Sequence, residues 1–148
     1  MSETTVYISE CLQIDWIPLH QGTAAFKISV TSSPSVEEAE KIHVIMRTWC
    51  ENTKERFVFD IEHVKDAPEI KVQMPILVFS ATKLFENKKI IQSRCLGTCI
   101  KGQVLDDHTK FCRDMFLSLY NPTRPFLLTD SSTEQSKFVD KCTRSSNN

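Results

Sequence analysis

The stretch RFVFDIEHVKDAPEIKVQM, residues 56–74, decides how the rest of the chain is read. Its first nine residues, Arg56 to Val64, carry apolar side chains at Phe57, Val58, Phe59, Ile61 and Val64 and leave little room for a solvated face. That reads as an inner β-strand, because a strand buried on both faces loses the clean polar alternation of a half-exposed one. The strand gives way to a polar elbow, Glu62 to Glu69, before the pattern restarts after Ala67-Pro68 with helical spacing. In open α/β sheets the crevice beyond the carboxyl ends of the strands is where ligands and chemistry usually sit, so the elbow is the first place to search.

Upstream, Ser33-Pro34-Ser35-Val36-Glu37-Glu38 combines capping serines, an early Pro and first-turn acids. Ile42, Ile45, Met46 and Trp49 follow at helical spacing, which predicts a helix over 35–53. A strand that follows a helix implies a crossover and a parallel neighbour. The first clear strand is AAFKISV, residues 24–30, preceded by a turn at Gln21-Gly22-Thr23 and by an apolar segment, Val6 to Ile17, suited to pair with it as a hairpin. Within that segment Cys11, Ile14 and Trp16 keep no single alternation, which places a bulge or bend near Gln13.

Downstream, Val72, Ile76, Leu77, Phe79 and Leu84 predict a helix over 69–86, disturbed by Pro75, which lacks a backbone donor. Ile90 to Val104 reads as a strand. Asp106-Asp107-His108 opens a helix to about Tyr120 with Phe111, Met115 and Leu119 on one stripe. Asn121-Pro122 ends it, Pro125 to Thr129 is a short strand, and Ser131-Ser132-Thr133-Glu134 caps a last helix bearing Phe138 and Val139. The expectation is one α/β domain over 1–142, a mixed sheet covered by helices in the order β-β-α-β-α-β-α-β-α, with a frayed polar tail over 143–148.

That order resembles the STAS domain, the fold of bacterial anti-sigma-factor antagonists and of the cytosolic tail of sulfate transporters. The resemblance spans nearly the whole chain and is topological. It rests most on Phe57 to Val64, similar to the family's central strand with its Asp at Asp60, and on the closing unit PFLLTDSSTEQSKFV. The resemblance implies a non-enzymatic module that works by binding proteins. Family members that act as switches carry a phosphorylatable Ser at the head of the helix after the central strand. Here HVKDAPEIK, residues 63–71, holds no Ser or Thr, so that control is absent at the elbow, which instead carries Lys65, Asp66 and Glu69.

The formal charge of −1 at neutral pH lacks the basic bias of a phosphate-backbone binder, so nucleic acid is not an expected partner. No apolar run approaches a membrane span, and MSETTVYISE has no signal-peptide pattern, which together predict a soluble cytoplasmic protein. The six cysteines, at 11, 50, 95, 99, 112 and 142, lie mostly within or beside apolar periodic segments and read as reduced thiols rather than a disulfide framework.

Candidate chemistry is sparse. Glu62 and His63 are adjacent in a strand and face opposite sides, a poor acid/base pair that reads as a loop edge. His108 and Cys112 stand four apart at a helix start, the spacing of a Cys/His nucleophile pair or two metal ligands, although Cys112 beside Phe111 also suits a core thiol. Cys95 and Cys99 are roughly 13 Å apart on an extended strand, too far to grip one ion. With three glycines and no GxGxxG or Walker spacing, a Gly-rich nucleotide loop is not expected. Lys88-Lys89 and Lys101 read as solvated surface. Trp16-Ile17-Pro18-Leu19 is either a core plug or an exposed interaction edge, with core favoured. The sequence therefore predicts no cofactor and no metal, and a protein partner or homo-oligomer met through Lys65, Asp66, Glu69 and Trp16. A structural subunit of a larger assembly, a thiol enzyme using Cys112 and His108, and a carrier built on the apolar MPILVFSATKLF segment are the alternatives.

Overall fold

The computed structural model describes residues 3–20, 22–32, 34–63, 87–102 and 124–145, together with residues 107, 110, 111 and 114. Six strands form one mixed sheet in sequential order: β1 (Thr4–Ile8), β2 (Leu12–Pro18), β3 (Thr23–Val30), β4 (Arg56–His63), β5 (Cys95–Lys101) and β6 (Phe126–Thr129). β1, β2 and β3 are antiparallel neighbours, whereas β3 to β6 run parallel. Helices α1 (Val36–Glu51), α2 (Lys88–Arg94) and α3 (Ser132–Ser145) complete the described elements. The α/β class and the mixed sheet are as the sequence predicts, and β4 is an inner strand with parallel neighbours on both sides. The order differs at its start: the segment Val6 to Ile17, expected as one hairpin partner, is divided into β1 and β2, so three strands rather than two precede α1.

Each face of the sheet has its own core. Leu12, Ile14, Trp16, Ala24, Phe26, Val30, Phe57 and Cys95 form the larger one, onto which α1 packs Ile42, Met46, Trp49 and Cys50. Trp16 is fully buried and meets Phe26 edge-on at 4.8 Å and Trp49 at 5.8 Å. It is the core plug, and the interaction-edge reading of Trp16 is corrected on that ground. The second core, Ala25, Val58 and Cys142, lies under α3 with Leu96, Phe138 and Val139 packed against it.

Local chemistry sets the boundaries. Ser35 caps α1 by accepting from Glu38 N, and Ser131 Oγ does the same for α3 through Glu134 N at 3.2 Å. Between β2 and β3 the chain turns through Gly22 at φ +74, a conformation that favours glycine. The expected irregularity near Gln13 falls instead on the facing strand. Leu12, Ile14 and Trp16 alternate regularly, and the register shift lies between Thr5 and Tyr7 of β1.

Three expectations are corrected. Residues 90–94 are helical, not extended: Ser93 Oγ donates to Ile90 O at 3.1 Å, and Arg94 reaches back to cap the end of α1. The guanidinium donates to Cys50 O, to Glu55 O at 2.8 Å and to Thr53 Oγ1 at 2.9 Å, and lies 5.5 Å from the Phe57 ring centroid. The tail begins later than 143, because Thr143 is buried with its Oγ1 donating to Val139 O, and Arg144 pairs with Asp140 one turn back. Residues 107, 110, 111 and 114 are helical as predicted, but Phe111 is 54% exposed, so it does not belong to a buried stripe. The expected helix over 69–86 lies outside the described residues. Among the described residues no helix is long and apolar enough to cross a membrane.

Candidate functional site

The carboxyl ends of the parallel strands carry a polar patch on the α3 face. Period-two alternation puts Asp60 and Glu62 of β4 on the face opposite Phe59 and Ile61, which pack into the α1-side core. Cross-strand neighbours share a face, so the register assembles two rows: Lys27, Asp60 and Cys99 in one, and Ser29, Glu62, Lys101 and Thr129 in the other. The first turn of α3 closes over them.

The patch is bonded within itself. Gln135 Nε2 donates to Asp60 Oδ1 at 2.7 Å, Lys101 Nζ meets Glu62 Oε1 at 3.1 Å, and Thr129 Oγ1 donates to Glu134 Oε2 at 2.6 Å. Lys101 is only 7% exposed, so the solvated-surface reading of that lysine is corrected: its charge is inside the protein and held by Glu62. A buried charge without such a partner is costly, which accounts for the pairing. Burial pushes the Asp60 carboxyl above its ordinary value, opposed by the Gln135 hydrogen bond and by Lys27. Burial likewise lowers the His63 imidazole. Glu62 and His63 are half-buried members of β4 rather than a loop edge, and Glu62 is turned to Lys101.

The thiols here do not suit nucleophilic work. Burial pushes Cys95 up to about 11 and Cys99 up to about 12, and raises Cys142 and Cys50 as well. A thiol in that range is almost wholly protonated at neutral pH, and the thiolate is the reactive form. Cys11, Cys50, Cys95, Cys99 and Cys142 are thiols rather than disulfides. Among the described residues no group of three or more His, Cys, Asp or Glu side chains is disposed to hold a metal ion.

A second polar knot ties the edge strand to α1. Tyr7 hydroxyl and Ser9 Oγ both donate to Glu38 Oε2, at 2.8 and 2.5 Å. The Ser9 bond first, then the Tyr7 bond, holds the Glu38 carboxyl below the ordinary carboxylate value. The elbow residues Lys65, Asp66 and Glu69 lie outside the described residues, as do His108 and Cys112. No protein-family model, curated protein or solved structure matches the chain.

Asp60, Lys101, Glu134 and Gln135 were not read as a group from sequence. A signal was present: Asp60 and Glu62 are two apart in an otherwise apolar inner strand, and such a pair needs polar partners from neighbouring elements.

Proposed function

We propose that the chain is a non-enzymatic protein-interaction module of STAS-like fold, recognising a protein partner or a second copy of itself through the elbow after β4. The observation that carries this reading is the self-contained bonding of the strand-end patch. Glu62, Asp60 and Glu134 each spend a hydrogen bond inside the fold, and the thiols beside them are held protonated. Such a patch serves as a rigid base: with Glu62 pinned by Lys101, the chain leaves β4 toward Lys65, Asp66 and Glu69 from a fixed point, and recognition segments work best on fixed scaffolds. The STAS-like part of the proposal is supported by an antiparallel entry, three adjacent parallel steps from β3 to β6, α1 as the first crossover, and a closing helix after the last strand.

The test is charge reversal or neutralisation at the elbow, with Lys65→Glu, Asp66→Asn and Glu69→Gln. Charges at an interface rim steer encounter, so association with the native partner should change in rate and in salt dependence, in opposite directions for the lysine and the two acids, while exposed charges contribute little to stability. The variants should melt within a few degrees of the parent. Unchanged association kinetics in all three would move the contact surface elsewhere. Selective alkylation of Cys112 at neutral pH would instead favour the thiol-enzyme alternative.

A further inference from the structure

The sheet ends in two unlike edges. Among the described residues, β1 and β6 each have a strand on one side only. An open edge presents backbone N–H and C=O groups ready to pair with another strand, and native edges are normally guarded. β1 is guarded twice: a register shift interrupts it between Thr5 and Tyr7, and exposed acids, Glu3 and Glu10, flank its two ends. Two copies of β1 laid side by side would bring like charges together. β6 has neither guard. Phe126–Thr129 carries no charge, its apolar residues Phe126, Leu127 and Leu128 are each part-exposed, and its flanks, Arg124 and Asp130, are exposed and of opposite sign. We propose that β6 is a dimerisation edge, pairing antiparallel with β6 of a second copy of this chain about a twofold axis through Leu127, so that the two sheets become one.

The backbone fixes the register. Thr98 N–H donates to Pro125 O and Gly102 N–H to Thr129 O, both at 3.0 Å. Successive residues of a strand turn their backbone groups to opposite sides, so Pro125, Leu127 and Thr129 face β5, while Phe126 and Leu128 point N–H and C=O outward. Pro125 lacks a donor only on the β5 side and therefore does not blunt the open edge. In an antiparallel pair, residues that exchange both hydrogen bonds must each face the partner strand. Phe126 opposite Leu128 of the second copy meets that condition, and the twofold repeats it. Leu127 then meets its own copy on the axis, and Arg124 falls opposite Asp130 of the second copy at both ends. An isologous interface needs self-complementary ends of this kind. The pairing does not require an idle Arg124, since a guanidinium carries five donors.

The described helices leave room for it. α3 lies over β5, where Cys142 and Phe138 stand against Gly97, so α3 of the second copy is three strand spacings away, roughly 14 Å. Packed helices stand about 8–10 Å apart, so the two copies of α3 pass without collision. This edge is distinct from the elbow after β4, and the proposal does not rest on that reading.

Sedimentation velocity of the full chain over a concentration series is the test, with thermal melting to show that each variant is folded. The parent should pass from monomer to dimer as concentration rises. Arg124→Asp makes both ends of the edge acidic and Asp130→Arg makes both basic, so each variant alone should dimerise about tenfold or more weakly than the parent. Mixed together, the two variants restore both opposite-charge pairs, and a heterodimer of near-parental affinity should form. Leu128→Pro removes an outward donor that β5 does not use, and should abolish the dimer. Lys65→Glu, Asp66→Asn and Glu69→Gln should leave it unchanged, which separates a failure here from a failure of the elbow reading. A parent that stays monomeric up to about 1 mM overturns the proposal. So does a dimer indifferent to both charge variants, or one whose weakening is not reversed by mixing. Should a charge variant not fold, amide exchange of the parent decides. Exchange at Phe126 and Leu128 should be slower in the dimer than in the diluted monomer, and equal exchange overturns the proposal.

Discussion

Gly97 is where the closeness of α3 to the sheet is most directly testable. A Cβ at this position would stand 2.9 Å from Cys142 Sγ, 3.2 Å from Phe138 Cζ and 3.2 Å from Pro125 O. The first distance is shorter than real Cβ contacts. The Pro125 carbonyl cannot retreat freely, because it accepts the Thr98 N–H at 3.0 Å and so fixes the entry of β6. Gly97→Ala must therefore push α3 outward by its Cys142 and Phe138 side chains. Overpacking of this kind costs about 1–3 kcal/mol. Gly97 does not have positive φ, so alanine recovers about 0.4–1 kcal/mol by restricting the unfolded chain. The net is a loss of about 1–2 kcal/mol, or a fall in Tm of roughly 2–8 °C for a chain of this size. Urea denaturation of the parent, Gly97→Ala, Cys142→Ala and the double variant closes a thermodynamic cycle. Removing Sγ opens the space the new methyl needs, so the double variant should be more stable than the two single losses added together, by at least about 0.5 kcal/mol. A neutral or stabilising Gly97→Ala, or a coupling of zero, would refute the packing argument.

Phe57 is fully buried and Phe59 only partly so, although both belong to one aromatic group with Phe26. Phe57→Ala should cost about 3–5 kcal/mol by urea denaturation and Phe59→Ala distinctly less. Arg94→Lys keeps the charge but loses the planar fork that reaches Cys50 O, Glu55 O and Thr53 Oγ1 together; the expected cost is about 1–3 kcal/mol, and a change below about 0.5 kcal/mol would count against the clamp. Glu38 is held below its ordinary value by Ser9 and Tyr7, so its contribution is present above the unfolded carboxylate value and is lost as pH falls through the lowered folded one. Hydrogen exchange across Thr4–Ile8 should accelerate in that acid range in the parent, while Glu38→Gln should exchange faster already at neutral pH and show no such acid step.

The elements legible from sequence are those whose local pattern and tertiary role agree. The serines and acids at 35–38 predict the start of α1 because the cap is a local bond, Ser35 to Glu38 N. Arg56 to His63 is legible because Phe57, Val58 and Phe59 are apolar in succession, on both faces of the strand, as an inner parallel strand requires. Residues 90–94 misled because Ile90 and Ile91 favour strands, while the bond that commits the segment to a helix belongs to Arg94 and its targets some forty residues earlier. The end of α3 misled for a related reason. TRS is polar and reads as frayed, yet Thr143 is buried under its own helix turn.

The strand-end patch was illegible because its logic runs perpendicular to the chain. Lys101 in isolation is a surface lysine; only the pairing of β4 with β5, offset by the shift after Phe57, sets it beside Glu62. That shift also turns Leu96 toward the α3-side core while Cys95 remains in the other. A register moved by a single residue would send Lys101 and Cys99 to the α1 face and bring Ile100 and Thr98 under α3, exchanging a bonded patch for an unpaired buried ammonium. The polar rows therefore act on the fold as well as on any partner: they penalise every neighbouring register. Specificity of that kind is a sufficient reason for a 148-residue chain to hold a lysine and two carboxylates of its sheet, with a third carboxylate from α3, in one bonded patch.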